Sequence, residues 1–236
     1  MASPVKAEWT SVAVPGGAFF DAYLATPPAG EGPGLVLFQE IFGVNEHIRT
    51  IAEQYALDGF VVLAPDIFWR SQRRVDLGYE GADRQRGIQL AGQLKGPELG
   101  LDMVATVTAL RSRAEVNGGK VGAIGYCMGG RLAFLSAATA GVDAAVAYYG
   151  GGIHDQLDKA ADIKCPVLFH YAERDDHIPM SAVDKVRAAM EGKSAEVHVY
   201  PGAMHGFNCW ARGSYHAPSA ALAHGRSLQF LAQNLF

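Results

Sequence analysis

Residues 120–130 read Lys120-Val121-Gly122-Ala123-Ile124-Gly125-Tyr126-Cys127-Met128-Gly129-Gly130. The apolar run Lys120–Ile124 predicts a buried strand, and Met128–Ala140 has the periodicity of a helix. The turn between them matches the nucleophile elbow G-x-S-x-G, with Cys in place of Ser. So sharp a turn strains the central residue and requires small neighbours, which Gly125 and Gly129 provide. The pattern predicts Cys127 as a nucleophile at a helix N-terminus, where the dipole favours a thiolate. The alternative is an ordinary buried cysteine in a glycine-rich turn.

The same alternation of strand and helix extends along the chain in both directions. Apolar runs predict further strands at Gly34–Phe38, Phe60–Ala64, Ala144–Tyr149, Pro166–His170 and Ala195–Tyr200. Helical periodicity is found at Asn45–Leu57, Leu99–Ala114, Ser181–Glu191 and Ala217–Leu235. Strands without alternation, separated by amphipathic helices, predict a mainly parallel α/β sheet with helices on both faces. Ligands then bind in the loops at the carboxyl ends of the strands.

Two shorter segments precede this pattern. Trp9–Val14 and Phe19–Thr26 are joined by Pro15-Gly16-Gly17, which predicts an antiparallel hairpin. No repeat, low-complexity tract or charged linker divides the sequence, and we therefore expect a single domain over residues 1–236.

Composition narrows the possible functions and locations. The chain has 236 residues, 49% of them hydrophobic, so it can bury a core without disulfides. A net charge of −4 with mixed signs argues against binding to nucleic acid. Three cysteines without a pairing pattern fit a reducing compartment. Met1 to Thr10 shows no secretory signal, and no apolar run is long enough to cross a membrane. We expect a cytoplasmic protein without membrane attachment.

Two later loops supply a candidate acid and a candidate base. The strand Pro166–His170 leads into a polar loop that contains Asp175 and Asp176. Asp175 is the preferred acid, Asp176 is its rival, and either side chain can instead cap the helix that begins near Ser181. His205 follows the strand Ala195–Tyr200, which gives the order nucleophile, acid, histidine that is typical of α/β-hydrolases. Its predicted role is to take the thiol proton and later activate water.

Motifs for metals and nucleotides are missing from the sequence. His205, Cys209 and His216 do not form a compact ligand motif, and there is no Walker or G-x-G-x-x-G loop. The sequence predicts neither a metal nor a cofactor.

The chain resembles the dienelactone hydrolase, or carboxymethylenebutenolidase, family over nearly its whole length. The resemblance is carried by Gln39-Glu40-Ile41-Phe42-Gly43-Val44-Asn45, Pro65-Asp66, Asp83-Arg84-Gln85-Arg86, the elbow, Tyr148-Tyr149-Gly150 and the loops with Asp175 and His205. It implies an α/β-hydrolase fold and a hydrolase that acts on a small-molecule substrate without a cofactor. The family opens the enol-lactone ring of dienelactone to maleylacetate during bacterial degradation of chlorinated aromatic compounds.

The resemblance also implies roles for individual residues. Cys127 becomes the nucleophile, His205 the base and Asp175 its partner, while Glu40 contacts the resting thiol and swings when substrate arrives. The backbone N–H groups of Ile41 and Met128 would form the oxyanion hole, as is general for this fold. A carboxylate beside a thiol keeps it protonated and protects it from oxidation. The alternative for Glu40 is an acid at a strand end that local backbone donors satisfy.

Substrate recognition departs from the family pattern. Arg86 matches one of two arginines that hold the lactone carboxylate, and its fork suits bidentate binding. The second arginine would lie four residues after the catalytic histidine, where this chain has Cys209. Arg212 is nearby, and it either replaces that arginine or points to solvent. A family aromatic residue is replaced by Leu90. Arg84 and Arg86 can alternatively belong to a solvated helical face.

Three functional hypotheses follow from these residues. The first is hydrolysis of a lactone or small ester, bearing a carboxylate, through a thioacyl-enzyme intermediate. The second is a broader carboxylesterase or thioesterase that uses the same three residues. The third is a non-catalytic binding or redox-sensing protein with a reactive thiol. The sequence does not predict an oligomeric state.

Overall fold

The computed structural model describes residues 4–236, so the first three residues of the predicted domain lie outside the described residues. The strands are β1 (Lys6–Ala13), β2 (Phe19–Thr26), β3 (Gly32–Phe38), β4 (Val61–Pro65), β5 (Val116–Tyr126), β6 (Ala144–Tyr148), β7 (Val167–Ala172) and β8 (Ala195–Tyr200). The helices are α1 (Glu46–Leu57), α2 (Gly81–Gly92), α3 (Gly96–Arg111), α4 (Met128–Thr139), α5 (Met180–Ala189) and α6 (Ala217–Leu235). Two 3₁₀ turns, Ile153–Asp155 and Leu157–Asp162, connect β6 to β7.

All eight strands form one sheet in the order β1-β2-β4-β3-β5-β6-β7-β8. The pairs β1–β2 and β2–β4 are antiparallel, and every other pair is parallel. The central strands β3, β4, β6 and β7 are buried along their whole length. Such strands read as continuous apolar runs because helices cover them on both sides. The predicted mainly parallel sheet with an antiparallel N-terminal hairpin is confirmed.

Side-chain contacts assign the helices to two layers. His224 of α6 lies against Tyr55 and Asp58 at α1, with ring centroids 5.2 Å apart for the Tyr55 pair. Ser136 of α4 contacts Met103 of α3 through a 3.5 Å hydrogen bond to sulfur. Helices α1 and α6 therefore cover one face of the sheet, while α3 and α4 cover the other.

The register of the parallel strands aligns several loops at one edge. Phe38 at the end of β3 pairs with Gly125 of β5, and Tyr126 pairs with Tyr148 of β6. Across the remaining pairs, Tyr148 is beside His170, and Ala172 is beside Tyr200. The loops that follow these strands carry all the candidate acid, base and nucleophile residues. The fold therefore brings them to one end of the sheet.

Two elements differ from the sequence-based expectation. Helix α2 was not predicted as an element because only Gly87 and Leu90 among its residues are buried, which leaves almost no apolar periodicity. Strand β5 begins at Val116 rather than Lys120, because Gly118 and Gly119 interrupt the apolar pattern with left-handed backbone, both at φ 68°. Within residues 4–236, no helix combines the length and the apolar character needed to cross a bilayer.

Candidate active site

The turn between β5 and α4 holds Cys127 in an unusual backbone conformation. Its φ is 55° and its ψ is −116°, a region that is costly for a residue with a Cβ. The Cys127 N–H donates to the Tyr148 carbonyl at 3.0 Å, which ties the turn to the neighbouring strand. A Cβ at Gly125 would collide with the Gly129 carbonyl, and one at Gly129 with the Phe38 carbonyl. The two glycines thus allow the close approach of backbone that presents the thiol at the edge of the sheet.

His205 and Asp175 form a buried hydrogen-bonded pair next to this turn. His205 Nδ1 lies 2.8 Å from Asp175 Oδ2, and the side chains are 7% and 1% exposed. The other carboxylate oxygen, Oδ1, accepts the backbone N–H groups of His177 at 2.9 Å and Ile178 at 3.0 Å. Asp175 therefore caps its own loop and holds the histidine at once. Asp176 is exposed and does not contact the imidazole, so the structure favours Asp175 over its rival.

The remaining side of the His205 ring meets the cysteine. Since Nδ1 is committed to Asp175, the hydrogen-bond contact with the Cys127 side chain involves Nε2. Burial alone would lower the pKa of His205, but the hydrogen bonds to Asp175 and Cys127 outweigh it and raise the pKa to about 10. The two hydrogen bonds thus stabilise the imidazolium that forms when His205 takes up a proton next to the sulfur.

This raised pKa makes a prediction about stability. A folded-state pKa near 10, against 6.5 in the unfolded chain, stabilises the fold fully below pH 6.5. The contribution is lost as the pH rises towards 10. We expect the free energy of unfolding, measured by urea titration, to fall between pH 7 and pH 10, and to fall less in His205→Gln. His198→Gln, on the edge strand β8 and outside the cleft, is the control and should follow the wild type. Equal slopes in all three proteins would contradict the raised pKa.

Glu40 lies buried in the loop after β3 and pairs with Arg212. Its side chain is 1% exposed, and its Oε1 accepts from Arg212 Nη1 at 3.1 Å. Among the described residues Oε2 has no hydrogen-bond partner. Burial raises the pKa of Glu40, although Arg212 and His205 both act against that rise. Glu40 is therefore not the locally capped strand-end acid of the alternative, because its partner is an arginine 172 positions away.

Two backbone N–H groups belong to residues that line the same cleft as Cys127. Met128 N–H is the first of α4, where a helix leaves its amide groups without intrahelical partners. Ile41 follows Glu40 in the loop after β3 and lines the same cleft as Cys127. Within the described part of the chain, neither N–H donates a hydrogen bond to another group. Both N–H groups are therefore free to donate to a ligand.

A cleft of about 260 Å³ opens over Cys127 and His205. The residues that line it are Ile41, Phe42, Arg84, Ile88, Ala91, Cys127, Met128, Arg131, Gly151, His177, His205 and Arg212. Arg212 thus faces the cleft and not bulk solvent, and its side chain is 19% exposed.

Arg86 does not reach this cleft, in contrast to the sequence-based expectation. Its Nη2 donates to Gln72 Oε1 at 2.7 Å, while Arg84 lines the cleft in its place. The reason is helix geometry, because successive residues are about 100° apart around an α-helix. Arg84, Ile88 and Ala91 share one face of α2, and Arg86 lies about 200° around the axis from Arg84. Leu90, at the position of the family aromatic residue, is fully buried in the core.

Sequence reasoning missed several neighbours of the site. The Tyr149 ring contacts the His205 ring edge-on, with centroids 5.1 Å apart, and its backbone has a φ of 35°. Its hydroxyl is buried without a hydrogen-bond partner among the described residues. His177 also packs against His205, at 4.9 Å between centroids. Tyr149 follows directly after β6, so its position at the strand end was the available signal.

The other two cysteines take no part in the cleft. Cys209 is fully buried, and burial raises its pKa to about 11. Cys165 is half-buried, and burial raises its pKa to about 11 as well. Both are therefore thiols at neutral pH. In residues 4–236, no three His, Cys, Asp or Glu side chains are grouped as metal ligands would be.

The sheet is mainly parallel and begins with an antiparallel hairpin. A strand–turn–helix elbow faces an acid and a histidine, which follow it in that order along the chain. These features define an α/β-hydrolase fold. Comparison with known proteins narrows this class. A sequence profile of the dienelactone hydrolase family matches residues 20–235. The chain belongs to that family, and it is a hydrolase that acts on ester bonds.

Individual relatives agree with this assignment. Carboxymethylenebutenolidase of Pseudomonas putida is 35% identical over 215 residues, which cover 90% of this chain and 91% of the relative. A protein of Azospirillum brasilense with a provisional carboxymethylenebutenolidase assignment is 36% identical, covering 96% of this chain and 99% of its own. Among solved structures, a Klebsiella pneumoniae protein with a provisional dienelactone hydrolase assignment superposes with a TM-score of 0.85 at 30% identity, covering 97% and 99%. These likenesses extend over nearly the whole chain.

Proposed function

We propose that this protein hydrolyses a carboxylate-bearing lactone or small ester by nucleophilic catalysis at Cys127. The observation that carries the proposal is the contact between the thiol, exposed to a cleft, and a buried imidazole that Asp175 holds by its other nitrogen. A reactive nucleophile needs a base within hydrogen-bond reach and a third group to orient that base. The three side chains meet both requirements.

The geometry supports a two-step reaction. His205 accepts the thiol proton, and the thiolate adds to the ester or lactone carbonyl carbon. The carbonyl oxygen becomes negative and takes hydrogen bonds from the N–H groups of Ile41 and Met128. When the tetrahedral intermediate collapses, the carbon–oxygen bond breaks and His205 returns its proton to the leaving alkoxide. His205 then activates a water molecule, which cleaves the thioester and restores the thiol.

Arg212 and Glu40 support a role in recognising the substrate carboxylate. A guanidinium is planar and can bind a carboxylate with two parallel hydrogen bonds. Arg212 already holds one carboxylate, that of Glu40, through a single hydrogen bond from Nη1 to Oε1. A substrate carboxylate that takes over Arg212 would release Glu40, whose anion can then turn towards the thiol. Arg86 has no part in this arrangement, because it lies outside the cleft.

The proposed substrate class is inferred from the relatives to which this chain is similar. One of these relatives is the carboxymethylenebutenolidase of Pseudomonas putida, so dienelactone is the proposed substrate for this chain too. No cofactor enters the proposed reaction. A role in the degradation of aromatic compounds and a cytoplasmic location stay predictions of the sequence.

The test compares dienelactone with an uncharged aryl ester, 4-nitrophenyl acetate, in wild type and Arg212→Gln. Loss of one charge-assisted carboxylate contact costs about 1.5–3 kcal/mol, which is about 10- to 150-fold in kcat/KM. We expect that fall for dienelactone and a smaller fall for the uncharged ester. Arg187→Gln, on the exposed side of α5 and paired with Asp184, is the control and should behave as wild type. A wild type that hydrolyses neither compound overturns the proposal, and a strong preference for the uncharged ester favours the broader carboxylesterase.

A further inference from the structure

The cleft over Cys127 carries a charge opposite to that of the whole chain. Its lining contains Arg84, Arg131 and Arg212 with two histidines, and no acidic side chain is among these described residues. The chain as a whole has a net charge of −4. A cleft with walls of one sign focuses the electric field and concentrates ligands of the other sign. The lining therefore favours a negatively charged ligand. The number of these arginines without a protein partner sets how many negative charges the ligand can place there.

Within residues 4–236, Arg212 is the one arginine of the three that has a carboxylate partner. Arg212 forms an ion pair with Glu40, at 3.1 Å. For Arg84 and Arg131, the described residues provide neither an ion pair nor a side-chain hydrogen bond. Most other arginines of the chain pair with a carboxylate, as Arg70 does with Asp102 and Arg111 with Asp143. A single substrate carboxylate at Arg212 would leave two guanidinium groups of the cleft without a partner.

Arg131 is the better placed of the two free arginines. It lies one helical turn beyond Cys127 on α4, and its N–H donates to the Cys127 carbonyl at 3.4 Å. Its guanidinium lies against Gly152, where an added Cβ would be 3.0 Å from Nη1. Gly152 has a φ of 82°, so glycine suits that turn and leaves the space that the guanidinium occupies.

Arg131 and Arg212 therefore belong to different walls of the cleft. Arg131 lies against the loop that follows β6, whereas Arg212 lies against Gly206 and reaches Glu40 after β3. Cys127, Arg131 and Arg212 all line this one cleft. Arg131 is half-buried, so its charge costs free energy until an anion pairs with it.

We propose that Arg131, with Arg84 at the exposed mouth of the cleft, forms a second anion subsite. The substrate class is then a lactone or ester with two carboxylates, one for Arg212 and one for Arg131. This inference rests on the proposed hydrolysis for its chemistry, and it goes further: dienelactone, with its single carboxylate, would fill only the site at Arg212, whereas a substrate with a second carboxylate would fill both sites. Arg131 is a binding residue in it and takes no part in bond making.

The test uses three 4-nitrophenyl esters whose acyl groups carry no carboxylate, one carboxylate (glutarate) or two carboxylates (tricarballylate). In wild type, kcat/KM should rise with each added carboxylate. Arg131→Gln should lower the ratio of kcat/KM for the doubly charged ester to that for the singly charged ester about tenfold, through KM. Arg131→Lys should lower this ratio less than Arg131→Gln does, because lysine keeps the charge but not the planar fork of the guanidinium. Arg187→Gln is the matched control, and its ratio should equal that of wild type.

A second measurement does not depend on turnover. Free tricarballylate should protect Cys127 from alkylation by iodoacetamide, measured by mass spectrometry, at about tenfold lower concentration in wild type than in Arg131→Gln. If wild type hydrolyses the esters but the ratio and the protection do not change in Arg131→Gln, the second subsite is refuted and the proposed hydrolysis stands. If no ester is hydrolysed while protection still depends on Arg131, the anion subsite stands and the proposed hydrolysis fails.

Discussion

Replacement of Cys127 by alanine should lower kcat for ester hydrolysis by about 10⁴-fold or more, because the nucleophile and the acyl-enzyme are both lost. The loss should appear with uncharged and carboxylate-bearing esters alike, since it concerns the carbonyl carbon and not the anion subsites. The measurement is release of 4-nitrophenolate under single-turnover conditions. In wild type, acid quenching followed by mass spectrometry should in addition show the acyl group on the peptide that contains Cys127.

The other cysteines give matched controls for this experiment. Cys165→Ala removes a half-buried thiol far along the chain, and we expect wild-type rates from it. Alanine at position 127 has the same strained backbone as cysteine, so the thermal midpoint of unfolding should change little. A folded Cys127→Ala protein with undiminished activity would show that another group attacks the substrate.

The sequence predicted the parts of the site that depend on short-range structure. The elbow at 125–129 is local, because its two glycines and its cysteine act within one turn, and the structure shows those glycines in close backbone contact. The strand before Asp175 was recognisable as an apolar run because helices bury it on both sides. Once the strands are parallel, their carboxyl ends must meet at one edge, which places the loops together.

Features that depend on packing between residues far apart in the chain could not be predicted from the sequence in the same way. The pairing of Glu40 with Arg212 joins residues 172 positions apart, and nothing local distinguishes it from an arginine in solvent. The rotation of α2, which brings Arg84 and not Arg86 to the cleft, depends on which apolar residues anchor a weakly amphipathic helix. Arg131 reads as an ordinary polar position of α4 until the loop with Gly152 is in place.

Asparagine at position 175 should lower kcat by about 10³- to 10⁴-fold, with little effect on KM. The geometry gives the reason. One oxygen of Asp175 accepts two backbone N–H groups while the other accepts His205 Nδ1–H, and asparagine has only one oxygen. If that oxygen keeps the two backbone donors, the amide NH₂ faces Nδ1 and turns it into an acceptor. The proton then sits on Nε2, the nitrogen directed at Cys127, so the base is blocked by its own proton.

Asp176→Asn is the matched control, because it makes the same chemical change one residue away on an exposed side chain. We expect its kcat to stay within about twofold of wild type, as is usual for a surface substitution away from buried networks. A second readout is the rate at which iodoacetamide alkylates Cys127 as a function of pH. That profile should change in Asp175→Asn, because a hydrogen bond that raises the pKa of His205 is lost, and it should not change in Asp176→Asn. If the two variants were equally active, Asp175 would be a loop cap alone, and the imidazole would need another partner to keep its orientation.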